Sequence, residues 1–258
     1  MTRDFAHLGI LAHSAEGAAL CFQTFCREGF ARLGPHRHPD VTLDCIAMSE
    51  AMPAWEAGDY ETVRAIHAES VDRLAAAGAD FFVCPDNTSH IALEEAGRAF
   101  ALPGLNIADV VADDAARRGM TKVGVLGTRF TMDGPVYRRA LAERGVGVDV
   151  PAPDERADVD RIIFDELVEG TFADLSRARY IEIIEGLKTG GCDGVALVCT
   201  EIPLLISQDV SPLPILDSTR LLARAAFDVA VHERAMPDWR GGPIAGAASQ
   251  RATAGGRP

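Results

Sequence analysis

Two segments of this chain overlay without a gap, Gly78-Ala79-Asp80-Phe81-Phe82-Val83-Cys84-Pro85-Asp86-Asn87-Thr88 and Gly191-Cys192-Asp193-Gly194-Val195-Ala196-Leu197-Val198-Cys199-Thr200-Glu201. Gly78 falls on Gly191, Asp80 on Asp193, and Asp86 on Cys199. Each segment reads as a Gly-x-Asp turn, an apolar strand and a small polar cluster where a helix would begin. Asp86 and Cys199 thus hold equivalent strand ends, and both side chains can take or give a proton. Two facing halves would put them on either side of one cleft.

Cys199-Thr200-Glu201 precedes an apolar run, Ile-Pro-Leu-Leu, so the spacing predicts a helix start. Unpaired N–H groups and the helix dipole there favour a thiolate and would lower the thiol pKa. The bland alternative is a buried, inert cysteine. Asp86 lies past its strand, because Pro85 cannot donate to a central ladder. It is a candidate for catalysis or for a helix N-cap. Cys84 points to the same side one step deeper. Thr128 and Thr131, in Gly127-Thr128-Arg129-Phe130-Thr131-Met132, offer hydroxyls suited to a carboxylate. Ser14 and Glu16 follow the first strand in the same way. His7, His13, His36, His38, His67 and His232 show no metal-ligand spacing and read as structural or surface residues; His90 reads as a helix-face histidine.

These positions need a frame. Strands are predicted at 8–12, 41–46, 81–84, 123–126, 195–198 and 214–216, alternating with helical patterns at 15–33, 60–77, 89–100, 108–118, 134–144, 158–169 and 176–188. That alternation is the βαβα signature of parallel sheets covered by helices, and continuous apolar strands fit burial on both faces. A second internal match, Leu8-Gly9-Ile10-Leu11-Ala12-His13 with Val123-Gly124-Val125-Leu126-Gly127-Thr128, supports a duplication. The expected architecture is two similar α/β domains with a cleft at the carboxyl ends of both sheets. Domain one would comprise 1–106 plus about 208–235, and domain two 107–207. A Pro, Gly, Ala and Ser-dominated stretch, 236–258, reads as a disordered tail.

The chain has 258 residues and a formal net charge of −13. That excess of acid argues against nucleic acid and anionic membrane surfaces as partners. No apolar run reaches transmembrane length, the amino terminus lacks a signal-peptide pattern, and the six cysteines show no C-x-x-C pairing. A reduced, cytoplasmic protein is expected.

Five motifs occur in order: Pro85-x-Asn87-Thr88-x-His90, the Gly127 to Met132 stretch, Ile162-Ile163-x-Asp165-Glu166-Leu167-x-x-Gly170, Cys199-Thr200-Glu201-Ile202-Pro203-Leu204-Leu205-Ile206, and Leu216-Asp217-Ser218-Thr219. Together they resemble the aspartate/glutamate racemase superfamily. The resemblance implies two pseudo-symmetric α/β domains, catalysis without pyridoxal phosphate or another cofactor, a small carboxylate substrate and a homodimer. It also implies two facing cysteines, one thiolate removing the proton next to a carboxylate and the opposite thiol returning one. Cys199 matches one of these positions and Asp86 occupies the other.

Asp86 is a departure from that pattern. Its ordinary pKa is about 4 to 5 units below that of a thiol, roughly 6 kcal/mol of proton-transfer driving force. Burial is expected to raise it and recover part of the difference. A second departure is Thr171, which follows Gly170 where family members acting on acidic amino acids carry a lysine. The substrate's distal group is then not a carboxylate, unless Arg129 or another arginine has taken over. The expected activity is a cofactor-independent racemase or epimerase at the carbon next to a carboxylate, with Cys199 and Asp86 catalytic and Asn87, Thr88, Thr128, Thr131, Thr200, Glu201 and Ser14 binding the substrate. The alternative on the same scaffold is a one-base lyase or decarboxylase of a small carboxylate, sulfonium compounds included. A third reading is a non-catalytic carboxylate-binding module.

Overall fold

The computed structural model describes residues 4–244. Eight strands form two parallel four-stranded sheets. The first contains β1 (Leu8–Ala12), β2 (Val41–Cys45), β3 (Phe81–Val83) and β4 (Gly104–Leu105), in the order β2-β1-β3-β4. The second contains β5 (Lys122–Leu126), β6 (Gly147–Asp149), β7 (Gly194–Leu197) and β8 (Ile215–Asp217), in the order β6-β5-β7-β8. The two orders are the same pattern repeated, so β1 corresponds to β5 and β3 to β7. The central strands β1, β3 and β7 are buried along their whole length, as their unbroken apolar sequence requires.

The Gly-x-Asp turns explain why the two segments overlay. Gly78 and Gly191 hold φ of 89° and 90°, a left-handed conformation that glycine adopts without a Cβ penalty. Asp80 then accepts from the His7 N–H at 2.7 Å, and Asp193 from the Thr121 N–H at 2.7 Å. Each aspartate thus ties the start of β3 or β7 to the start of the neighbouring strand, β1 or β5.

The covering helices are α1 (Ala15–Leu33), α2 (Met48–Ala57), α3 (Tyr60–Ala76), α4 (Ser89–Leu93), α5 (Ile107–Arg117), α6 (Arg129–Asp133), α7 (Pro135–Glu143), α8 (Pro153–Ile162), α9 (Asp174–Thr189), α10 (Ile202–Leu205) and α11 (Ser218–Ala230), with a π-helical turn at Ile163–Leu167 after α8. Helices α5 and α11 exchange sides. After β4, α5 packs on α7 of the second half; after β8, α11 packs on α1 of the first, and the two also pack on each other. The Ala6 N–H donates to the Ala230 carbonyl at 2.9 Å, fastening α11 to the segment before β1. Residues of both halves, among them Phe25, Ile107, Val111 and Phe227, share one continuous core. At about 1.5–3 kcal/mol for each large apolar side chain fully buried, the exchanged helices hold the halves together strongly.

Several sequence expectations need correction. The strand expected at 214–216 does not return to domain one with its helix. β8 pairs with β7, Ile215 opposite Val195, and only α11 crosses back. The helix expected over 89–100 stops at Leu93, where the Glu94 carboxylate turns to Arg139 and Asn106. Residues 236–244 are not a loose tail. Gly104 N–H donates to Trp239 O, Phe100 N–H to Arg240 O and Gly242 N–H to Leu93 O, and the Trp239 ring stacks on His90. One tryptophan in a Gly/Pro-rich stretch supplies enough apolar surface to anchor it. The rest of that expectation, 245–258, lies outside the described residues. Sequence reading also missed β4 and β6, which are two and three residues long, and α2, which contains Pro53.

Candidate active site

Four strands end at one place in the duplicated pattern. His13 follows β1, Asp86 follows β3, Thr128 follows β5 and Cys199 follows β7. The halves meet there: Thr88 and Thr128 hydroxyls lie 3.3 Å apart, and Thr128 and Thr131 hydroxyls 2.9 Å apart. On the other side, a Cβ placed on Gly17 at the start of α1 would sit 2.6 Å from the Thr200 methyl, so the first turn of α1 lies directly on the Cys199 loop. Asp86, Thr88, Ser14 and Cys199 are partly exposed in this cleft, whereas Asn87, Thr128, Thr131, Thr200 and Glu201 are buried.

The Cys199 thiol donates to Glu201 Oε2 at 3.0 Å. Burial foremost, then the charge and hydrogen bond of Glu201, push its pKa well above the ordinary thiol value. The lowered pKa expected from a helix start is therefore corrected. α10 is a single four-residue turn, and the carboxylate two positions on outweighs whatever its few free N–H groups contribute. Cys199 therefore rests as a thiol hydrogen-bonded to Glu201. Glu201 accordingly faces the cysteine and accepts from it, which does not suit it to bind a second carboxylate.

Asp86 deviates in the opposite direction. Burial alone would raise its pKa, but hydrogen bonding and charge from His13, with the Ser89 N–H, hold it down to about 2. Oδ1 accepts from the Thr88 and Ser89 N–H groups at 2.9 and 3.3 Å, in the turn just ahead of α4 whose N-cap is Thr88, and Oδ2 lies 3.0 Å from His13 Nδ1. The expectation that burial brings this carboxyl toward a thiol's basicity is overturned by these three contacts. Its charge also reaches Cys199 and contributes to keeping that thiol protonated.

The remaining candidates divide. Asn87 accepts from the Tyr137 hydroxyl and donates to Ser218 Oγ, whose own hydroxyl donates to Leu197 O. Its side chain is thereby a stitch between α7, α11 and β7. Ser14 caps α1 by accepting from the Gly17 N–H at 3.2 Å. Cys84 is fully buried with its pKa raised, by burial first and by the Asp86 charge second, and it stands behind Asp86 rather than beside it. His90 is buried, with Nε2 3.1 Å from Cys84 O. Arg129 packs its guanidinium over the Phe130 ring and lines a cavity of about 400 Å³ with Tyr60, Ile91 and Pro135.

His13 is the residue that sequence reading set aside as structural. It is 5% exposed, and it is the partner of Asp86. The signal was present, since the repeat that pairs 8–13 with 123–128 places His13 on Thr128.

A model of the family described as Asp/Glu/Hydantoin racemase matches residues 24–226. The chain is 28% identical over 178 residues to the glutamate racemase of Aquifex aeolicus, covering 67% of each, and 23% identical over 167 residues to the broad specificity amino-acid racemase RacX of Bacillus subtilis, covering 65% of this chain and 72% of that one. Among solved structures, a Yersinia pestis protein provisionally assigned as an Asp/Glu racemase superposes with a TM-score of 0.78 at 31% identity, covering 86% of this chain and 98% of that chain. An aspartate racemase homologue from Pyrococcus horikoshii gives 0.72 at 26%, covering 84% and 96%. Twin parallel sheets, a cleft at their carboxyl ends and a match across most of the chain lead to one assignment: this protein belongs to the Asp/Glu/Hydantoin racemase family.

Proposed function

We propose that this protein is a cofactor-independent racemase or epimerase acting at the carbon next to the carboxylate of an amino acid or related carbon acid. The observation that carries the reading is the equivalence of Cys199 and Asp86 at the ends of β7 and β3, a thiol facing an ionised carboxylate. Cys199, hydrogen-bonded to Glu201, exchanges the proton on one face of the substrate, and the Asp86 side serves the other face. The hydroxyls of Thr88, Thr128, Thr131, Thr200 and Ser14, with the backbone N–H of Asn87, receive the substrate carboxylate. The protein acts as a cytoplasmic homodimer, a state that sedimentation would test.

The test is incubation of each enantiomer of the chiral standard amino acids in deuterated water, with Cys199→Ala as control. Solvent deuterium should enter the α-position in the wild type and inversion should cease in the variant. No uptake with any amino acid would remove the reading.

The strong asymmetry of the pair favours a second reading, a one-base lyase or decarboxylase in which Cys199 supplies a proton in one direction only. Asp86→Cys separates the two. A gain of two-way racemisation would mark a scaffold diverted to lyase chemistry.

A further inference from the structure

Resting on the racemase reading, we infer that His13 is the catalytic residue on the first-half side of the cleft, and that Asp86 is its positioning residue. Three observations converge. First, the Asp86 carboxylate is already occupied: Oδ1 accepts from two backbone N–H groups and Oδ2 from His13. A carboxylate whose lone pairs are taken up in this way retains little tendency to take a proton from carbon.

Second, that carboxylate fixes the histidine's tautomer. An ionised carboxylate only accepts, so His13 Nδ1 must carry the hydrogen that spans the 3.0 Å to Oδ2. In the neutral ring Nε2 then holds the lone pair. His13 Nε2 is buried and has no hydrogen-bond partner among the described residues. Buried ring nitrogens are nearly always satisfied, and an exception points to a ligand or water that completes the site. Asp86 thus orients one nitrogen and leaves the other for chemistry, the logic by which a buried aspartate supports a histidine base in hydrolases.

Third, the position is right. His13 ends β1 as Thr128 ends β5, and the residue after it, Ser14, caps the α1 turn that rests on Thr200. His90 also has an unpartnered nitrogen, Nδ1, but its ring stacks on Trp239, its Nε2 is taken by Cys84 O and it lies within α4 rather than at the end of a strand. The His67 ring, 5.1 Å from that of His13, is engaged at both nitrogens by Val63 O and Ser89 Oγ.

The step balances with the groups present. The His13 Nε2 lone pair takes the α-proton, the C–H electron pair passes into the substrate carboxylate as an enediolate, and the Cys199 thiol returns its proton to the opposite face. The products are an imidazolium paired with Asp86 and a Cys199 thiolate. The opposite enantiomer reacts from that state in reverse.

The experiment compares His13→Gln, Asp86→Asn and Cys199→Ala in deuterated water, using both enantiomers of whichever standard amino acid the wild type exchanges fastest. His13→Gln should lose inversion by on the order of 10²–10⁴-fold. At a pH alkaline enough to ionise Cys199, it should still exchange, without inversion, the one enantiomer whose hydrogen faces that residue. Cys199→Ala should show the mirror image, exchanging the other enantiomer alone, and Asp86→Asn should lower both rates through His13 less severely than His13→Gln does. Inversion by His13→Gln within about threefold of the wild type would overturn the assignment, as would an equal loss of exchange for both enantiomers, which a purely structural histidine would cause. The imidazole 15N spectrum of the unliganded wild type provides a readout that needs no substrate. Hydrogen on Nδ1 is expected for His13 in either charge state of the ring, and a neutral ring carrying its hydrogen on Nε2 instead would refute the inference. If no amino acid exchanges at all, the racemase reading fails while the spectrum still judges His13.

Discussion

At the scale of single residues, the cleft holds two hydrogen-bonded pairs built from unlike parts. Cys199 leans on Glu201, and His13 leans on Asp86. Cys199 and Asp86 were legible because each ends a repeated apolar strand; their ionisation states were not, because those depend on Glu201 and His13 arriving at hydrogen-bond distance. Burial, Glu201 and the Asp86 charge all raise the Cys199 pKa, so neutralising Glu201 removes one cause and leaves the others. Glu201→Gln should therefore shift the pH dependence of Cys199 alkylation by iodoacetamide to lower pH, though not down to that of a free thiol. Mass-spectrometric rates for this cysteine against pH test it, with the buried cysteines Cys21 and Cys84 as internal references. An unchanged or rising profile in the variant would mean that Glu201 does not control the thiol.

At the scale of elements, the contact that matters most is between the first turn of α1 and the loop after β7. Gly17 permits it, since a Cβ there would lie 2.6 Å from Thr200 Cγ2 and 3.4 Å from Ser14 Oγ. Sequence alone placed α1 correctly, with both ends matching, but read Ser14 as a substrate contact rather than as the cap it forms. It gave no hint that Gly17 faces the other half, because a helical glycine reads only as a weak position costing up to about 1 kcal/mol against alanine. Gly17→Ala should thus gain helix propensity yet lose activity, as the added methyl displaces the Cys199–Thr200 turn. We expect at least a tenfold fall in kcat/KM, on the order of 1.4 kcal/mol. Thr200→Ser removes the opposing methyl, so the double variant should recover most of that loss. A double variant no better than Gly17→Ala alone would show that this contact does not set the cleft. Short elements were missed for a related reason: β4 and β6 carry too few residues to show a period, and they exist because a neighbouring strand offers them a ladder.

At the scale of the whole molecule, duplication was readable from two overlays, and the exchange of α5 and α11 between halves was not, since strand pairing and helix packing are decided separately. Acid stability is decided elsewhere, by two buried histidines of the first half. His67 and His90 are both held neutral, with pKa values lowered from 6.5 to about 4, by burial before any other cause. His90 Nδ1 has no partner among the described residues, so protonating it would leave a buried cation with an unpaired N–H. Unfolding restores the ordinary value, and the unfolded chain therefore binds more protons than the folded one between about pH 6.5 and 4. Each histidine then reduces stability as the pH falls through that window, with a slope approaching about 1.4 kcal/mol per pH unit. Asp86 acts lower down, because its carboxyl is depressed from 3.8 to about 2: its contribution is complete above about pH 4 and is lost toward pH 2. Urea unfolding at intervals from pH 7 to pH 4 should show stability falling well before carboxylates titrate. In His90→Gln, which removes one of the two titrating rings, the profile should be flatter over the same interval even if the variant is less stable at pH 7. Parallel profiles for the wild type and His90→Gln would place the acid sensitivity elsewhere and leave this buried ring without a part in it.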